Sequence, residues 1–251
     1  MRHLVAFRVY ESQTTSGLTP EQEAFLNRYT KGTWSVNPTT GLVDIQGDFY
    51  CVNRKAKSFF GVKFGNVTGD FDCYSNQLKS LEGAPREVLG DFNCSRNQLR
   101  SLAGSPRKVG RHFNCMSNYL QSLEGAPREV GWDFNCCYNP LQSLKGAPLE
   151  EMNGSFICNA FQMKQGEWNM KGLIEILKNG KEEAKKLMLT LPIFNPNFWN
   201  SKISQNPELT IIELSEFWDD LPLGVRWEIR VPRDLRDDFE NLLELVRAGI
   251  M

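Results

Sequence analysis

A segment of 21 residues recurs through the middle of the chain and constrains the fold more than any single motif. Aligned on their cysteines, four units read GDFDCYSNQLKSLEGAPREV, GDFNCSRNQLRSLAGSPRKV, RHFNCMSNYLQSLEGAPREV and WDFNCCYNPLQSLKGAPLEE. Phe71, Phe92, Phe113 and Phe134 lie 21 residues apart, as do Cys73, Cys94, Cys115 and Cys136, and Asn76, Asn97, Asn118 and Asn139. Leu78, Leu99, Leu120 and Leu141 follow each Asn, and Pro85, Pro106, Pro127 and Pro148 close the units. Partial copies, GDFYCVNR at 47–54 and GSFICNAF at 154–161, flank the array with a step of 22. A period of this length means stacked units that bury their apolar face only against their neighbours.

Within each unit the chemistry predicts the path. Alternate residues of a strand share a face, so Phe92 and Cys94 point inward together. Asn97 then turns the chain; in the leucine-rich repeats that this spacing resembles, the Asn amide bonds neighbouring backbone so that each Asn stacks on the next. Leu99 and Leu102 pack on the way back, and Gly-x-Pro supports an extended return rather than a helix.

The spacing F-x-C-x-x-N-x-L resembles the short bacterial leucine-rich repeat, roughly P-x-x-L-x-x-L-x-V-x-x-N-x-L-x-x-L. Pro85, Val88, Phe92, Cys94, Asn97, Leu99 and Leu102 fall into it, with one extra residue between Val88 and Phe92. The wording GDFNC…NQL…SLEGAP is similar to leucine-rich repeat proteins of tailed bacteriophages and some bacteria. The leader LTPEQEAFLNRYTKGTWSVNPTTGLVDIQGDF is similar to the segment before their repeats, so the likeness spans about 18–161. It implies an α/β-type repeat solenoid, a curved parallel sheet; the residues before and after it add an N-terminal mixed cap and a C-terminal helical domain. It also implies a phage-encoded, host-directed protein of the host cytoplasm, or a virion-associated structural component.

Charge narrows the function classes. With 29 Lys and Arg against 30 Asp and Glu, the chain lacks the basic surplus of a nucleic-acid binder. The apolar stretch Leu187–Phe194 is too short to span a bilayer, and Leu4–Phe7 is too short for a signal-peptide core. A soluble, intracellular protein is expected. Only two histidines, His3 and His112, are present, which disfavours a His-based metal site and narrows nucleophilic catalysis. No phosphate loop, metal motif or nucleophile elbow occurs, so no cofactor is expected. Six of the seven cysteines (Cys51, Cys73, Cys94, Cys115, Cys136 and Cys158) take the inward position and read as small core hydrophobes. Cys137 has outward parity and is the one candidate reactive thiol.

If Phe and Cys face in, their neighbours form the outer face of the sheet, expected to be concave. Its first column is Asp48, Asp70, Asp91, His112, Asp133 and Ser155; its second is Tyr50, Asp72, Asn93, Asn114, Asn135 and Ile157. The third is Val52, Tyr74, Ser95, Met116, Cys137 and Asn159, with Arg96 and Tyr138 beside it. Arg111 and Trp132 replace a Gly of the other units, and His112 replaces an Asp. Trp, Tyr, Arg and Met dominate binding hot spots. Asp70, Asp72, Tyr74, Asp91, Arg96, Arg111, His112, Met116, Trp132, Asp133 and Tyr138 are therefore the candidate partner-binding residues. The expected partner is a protein of some basic character, and self-association is the other possibility. One carboxylate per turn does not make a Ca²⁺ site.

The chain divides at 1–46, 47–161 and 162–251. In the first part HLVAFRVY reads as a strand. Thr19, Pro20 and Gln22 form a capping box with Pro at the first helical position, and Gly32 is expected to end that helix. Trp34–Val36 and Leu42–Ile45 suggest a hairpin, and the whole a cap on the solenoid. In the last part helices are expected over Trp168–Leu177 and Lys181–Leu189, then from Asn195-Pro196 and Asn206-Pro207. The helix after Asn206 should align Ile211, Leu214 and Trp218. Gly224–Val231 reads as a strand, and Pro232 opens a final helix with Leu235, Phe239, Leu242 and Val246 in register, closed by Gly249. Some bacterial repeat effectors carry a Cys-dependent ubiquitin ligase here, but no Cys or His follows Cys158. Asp219 and Asp220 read as solvated charges, so an enzyme in this region is the lesser alternative to a non-enzymatic binding module.

Overall fold

The computed structural model describes residues 16–148, 151–163 and 170–250. The expectations for HLVAFRVY and for a helix start at Trp168 lie outside these residues. The repeats form a parallel-strand solenoid followed by a helical region.

Helix α1 (Pro20–Tyr29) begins at the capping box, with Thr19 Oγ1 accepting from Gln22 N and Gln22 Oε1 accepting from Thr19 N. Gly32 does not end it. The helix stops at Tyr29, and Gly32 sits inside strand β1 (Thr30–Val36), opposite Gly47 of β2 (Val43–Tyr50). Gly32 has φ of 129° and a Cβ there would strike the Gln46 carbonyl; close approach of two strands, not helix termination, requires this glycine. The expected hairpin forms, with Trp34 opposite Ile45 and Val36 opposite Val43.

Strand β2 runs unbroken across residues 46 and 47 and starts two ladders. Its first half pairs with β3 (Phe64–Val67) and its second half with β4 (Phe71–Asp72). The front ladder continues through β6 (Phe92–Asn93), β8 (Phe113–Asn114), β10 (Phe134–Asn135) and β12 (Phe156–Ile157), all parallel and in phenylalanine register. The rear ladder continues from β3 through β5 (Glu87–Val88), β7 (Lys108–Val109), β9 (Glu129–Val130) and β11 (Glu151–Met152). The extended return after Gly-x-Pro is thus a second parallel ladder, joined to the first through β2 in one sheet. Both sides advance by one hydrogen-bonded strand spacing per turn, about 4.8 Å.

Three internal columns hold the stack. Phe49, Phe71, Phe92, Phe113, Phe134 and Phe156 are fully buried, and successive rings stack at 4.9–5.5 Å. The six inward cysteines are buried thiols beside them; Cys73 Sγ donates to Asn93 O at 3.3 Å. The buried asparagines form the third. Asn97 Nδ2 donates to Cys73 O and Cys94 O at 3.0 Å each, and its Oδ1 accepts from Leu78 N at 3.0 Å. Asn118 and Asn139 repeat the pattern one and two turns on. At the far corner Gly104 has φ of 89°, and a Cβ there would press on the Leu81 carbonyl of the preceding turn.

At the end of the stack β13 (Gln162–Met163) pairs antiparallel with β12, and Phe161 stacks on Phe156. Helices α2 (Met170–Asn179), α3 (Glu182–Met188), α4 (Pro196–Gln205), α5 (Pro207–Ser215), α6 (Leu223–Glu228) and α7 (Arg236–Arg247) follow. Their buried side chains join the solenoid core, and Leu144 N donates to Thr190 Oγ1 at 2.7 Å. Asn195 caps α4 through Asn197 N, as its Asn-Pro start implies. Three expectations fail. Helix α5 ends at Ser215, so Trp218 lies in a separate 3-10 turn, where it packs edge-on against Phe239. Gly224–Val231 is no strand; Pro222 precedes a helix that buries Ile229 just beyond its end. The last helix starts at Arg236, after a 3-10 turn over Arg233–Leu235, and buries Phe239 and Leu243. No helix among the described residues is long and apolar enough to cross a membrane.

Candidate functional site

The outer face of the front ladder is built by backbone capping before it offers anything to a partner. In the first column Asp48 Oδ1 accepts from Asp70 N at 2.8 Å, Asp70 Oδ1 from Asp91 N at 2.9 Å, and Asp91 Oδ1 from His112 N at 3.0 Å. His112 continues the series with its imidazole, Nδ1 accepting from Asp133 N at 3.3 Å, and Asp133 Oδ1 accepts from Ser155 N at 2.7 Å. One oxygen of each aspartate is therefore committed to the next turn's amide. The second oxygen of Asp70 accepts from Tyr50 Oη at 3.1 Å, and that of Asp133 faces His112 Nδ1. Burial, with the Asp70 charge next, drives the Tyr50 phenol well above its ordinary range.

The second column holds local turns. Asp72 Oδ1 accepts from Tyr74 N at 2.8 Å, and Asn93, Asn114 and Asn135 each accept from the amide two residues ahead. This is the Asx-turn, in which a side-chain oxygen replaces a backbone acceptor. Desolvation raises the Asp72 carboxyl above its usual range, partly offset by those bonds. In the third column Ser95, expected on the surface, is buried, its hydroxyl donating to Asn93 Oδ1 at 2.6 Å.

The residues that break the repeat do meet. Trp132, 49% exposed, lies with the Arg111 guanidinium 5.0 Å above its ring and the His112 ring edge-on at 5.0 Å. His112 Nδ1 is also 3.2 Å from Asp133 Oδ2. Arg111, His112, Trp132 and Asp133 form one cluster across two adjacent turns. A second pair, Arg96 over Tyr74 at 5.6 Å, stands at the other end of the strands and on earlier turns. Tyr138 is 69% exposed and, among the described residues, makes no ring contact with either group; Met116 is half-buried between turns. Arg96 and Tyr138 occupy the left-handed position before the turn Asn, with φ of 52° and 55°. The cost of that conformation is met by the Asn ladder, and it carries both side chains outward.

A transposition explains how Arg111 and Trp132 fit. The order Leu89-Gly90 becomes Gly110-Arg111 and Gly131-Trp132 in the next two turns. A Cβ on Gly110 would strike the Leu89 carbonyl, and one on Gly131 the Gly110 carbonyl. Close approach thus moves one residue upstream, freeing the next position for a large side chain. The signal was present in the sequence as a swapped dipeptide. The rear ladder was not anticipated as a surface: Glu87, Lys108 and Glu129 alternate in register, with Lys108 paired to Glu129 and Arg107 to Glu87.

The thiols offer no reactive centre. Burial pushes all six column cysteines upward, Cys51 and Cys158 to about 11. Half-burial raises Cys137 as well, the opposite of an activated nucleophile. Among the described residues no group of three or more His, Cys, Asp or Glu side chains converges as a metal site.

No family model, curated protein or solved structure matches the chain. The front face carries aromatic and guanidinium groups on a hydrogen-bonded lattice with carboxylates between them.

Proposed function

We propose that the protein is a non-enzymatic binding module of the short leucine-rich repeat type, holding a protein partner on the front face of its solenoid. On this reading α1 and the hairpin close one end of the stack, consistent with the Phe25 ring lying 5.5 Å from Phe49, the first ring of the column. The observation that carries the proposal is the cluster of Arg111, His112 and Trp132. It puts large side chains where other turns hold Gly and Asp, and it leaves a half-exposed indole beside a guanidinium and an imidazole. Pre-positioned aromatic and Arg side chains lose little entropy on binding. The row of carboxylates at Asp70, Asp91 and Asp133 gives the face a negative character that suits a partner carrying Lys or Arg. The repeat wording supports a phage-encoded, host-directed role in the host cytoplasm.

The test is affinity capture from a bacterial lysate by wild type and by an Arg111→Ala, Trp132→Ala, Tyr138→Ala triple variant of matched circular dichroism. The captured protein is then purified and titrated against both. Binding by wild type that falls at least tenfold in the variant supports the face (about 1.4 kcal/mol); equal affinity rejects it.

A further inference from the structure

The helical region contains an open cleft of about 800 Å³, between α4, the start of α5, the end of α6 and the segment that follows it. That volume suits a small-ligand site. Asn200 fixes its geometry. From α4 its Nδ2 donates to Glu228 O at 3.0 Å and its Oδ1 accepts from Arg230 N at 2.7 Å, clamping residues 228–230 through a single amide. Ile203 and Ile229 are buried, securing the two sides. On the rim Trp227 is 84% exposed, more than any other large hydrophobic side chain on the described surface. Fold stability gains almost nothing from an indole left that bare. The polar lining includes Asn197, Ser204, Glu228, Arg230 and Asp234. Among the described residues no ion pair joins Glu228, Arg230 or Asp234 to one another.

We propose that this cleft binds a neutral saccharide. Two carboxylates against one guanidinium make the lining net negative, which disfavours phosphates and other anions. Carboxylates accept hydrogen bonds while guanidinium and amide groups donate them, and sugar hydroxyls do both. The open face of Trp227 supplies a flat apolar surface for the C–H face of a pyranose ring, with the polar groups reaching its edge. The Asn200 clamp holds the 228–230 segment in place beforehand, so little ordering is needed on binding. This site is separate from the front face, and either assignment can fail alone.

The test titrates the full-length protein with soluble cello-, malto- and chito-oligosaccharides of three and four residues, with ATP as the phosphate-bearing control. Calorimetry and the indole N–H resonances are the readouts. At least one saccharide is expected to bind and to shift the Trp227 resonance. Trp227→Ala should weaken that binding by about tenfold or more while leaving the melting temperature unchanged, because the ring is exposed. Trp227→Phe should retain part of the affinity. Binding by none of the saccharides, binding unaffected by Trp227→Ala, or tighter binding of ATP in the cleft would overturn the proposal.

Discussion

The imidazole of His112 accepts the backbone N–H of Asp133 at 3.3 Å, the role that Asp91 plays for His112 itself one turn earlier. The bond requires an unprotonated Nδ1, whereas the contact from Nδ1 to Asp133 Oδ2, at 3.2 Å, requires a protonated one. Replacing His112 by Asp keeps an acceptor in place, and replacing it by Ala removes it. His112→Ala is expected to cost about 1 kcal/mol and His112→Asp less. Equal melting of all three proteins contradicts the capping role.

The asparagine column is the most demanding part of the lattice. Asn97 serves two carbonyls and one amide, all buried, across two turns. Asn97→Ala strips the buried Leu78 N–H of its acceptor and removes one of the two asparagine donors at each of the Cys73 and Cys94 carbonyls, which keep Asn76 and Asn118; it should destabilise the protein by about 1–3 kcal/mol. Asn97→Asp keeps the acceptor for Leu78 N but turns a carboxylate oxygen toward the Cys73 and Cys94 carbonyls, so it should be worse than Ala at neutral pH. Chemical denaturation of both variants decides the point, and an Asp variant as stable as wild type would sink it.

The swapped dipeptides set a third expectation. Gly131→Ala places a methyl against the Gly110 carbonyl, where backbone rather than a flexible side chain must yield. Overpacking of this kind costs about 1–3 kcal/mol. Trp132→Ala, by contrast, removes a half-exposed ring and should leave stability nearly unchanged. A larger loss for Trp132→Ala than for Gly131→Ala would make the tryptophan a structural residue and weaken its assignment to binding.

What the sequence revealed follows from which forces are periodic. The inward Phe and Cys, the Asn turn and the 22-residue steps at both ends were legible because each recurs in register. The Asp column was visible, but its purpose was not: reading carboxylates as surface charge overlooks an oxygen bonded to an amide 21 or 22 residues away, as between Asp70 and Asp91. The rear ladder was hidden because Glu87-Val88 and its copies are only two residues long and look like loop. The helical region, lacking repetition, was read by local signals alone. Asn-Pro starts held, whereas Trp218 and Gly224–Val231 were decided by packing against Phe239 and by burial of Ile229.

Asp219, which in sequence resembled a solvated charge, ties the turn after α5 to the last helix. Arg247 grips it with two bonds, Nε to Oδ2 at 2.6 Å and Nη2 to Oδ1 at 2.9 Å, and Arg226 approaches Oδ1 at 3.4 Å. The hydrogen bonds from Arg247 hold the Asp219 carboxyl below its usual range. A carboxyl lowered by folding contributes stability above its unfolded pKa and loses it as pH falls through the folded one. Both side chains are about half exposed, so solvent and salt weaken the pair. Asp219→Asn should therefore lower the melting temperature modestly at pH 7 in low salt. The difference should shrink in high salt and vanish once the pH drops below the ordinary carboxylate range. A difference that persists unchanged in acid would mean that shape, not charge, holds this corner together.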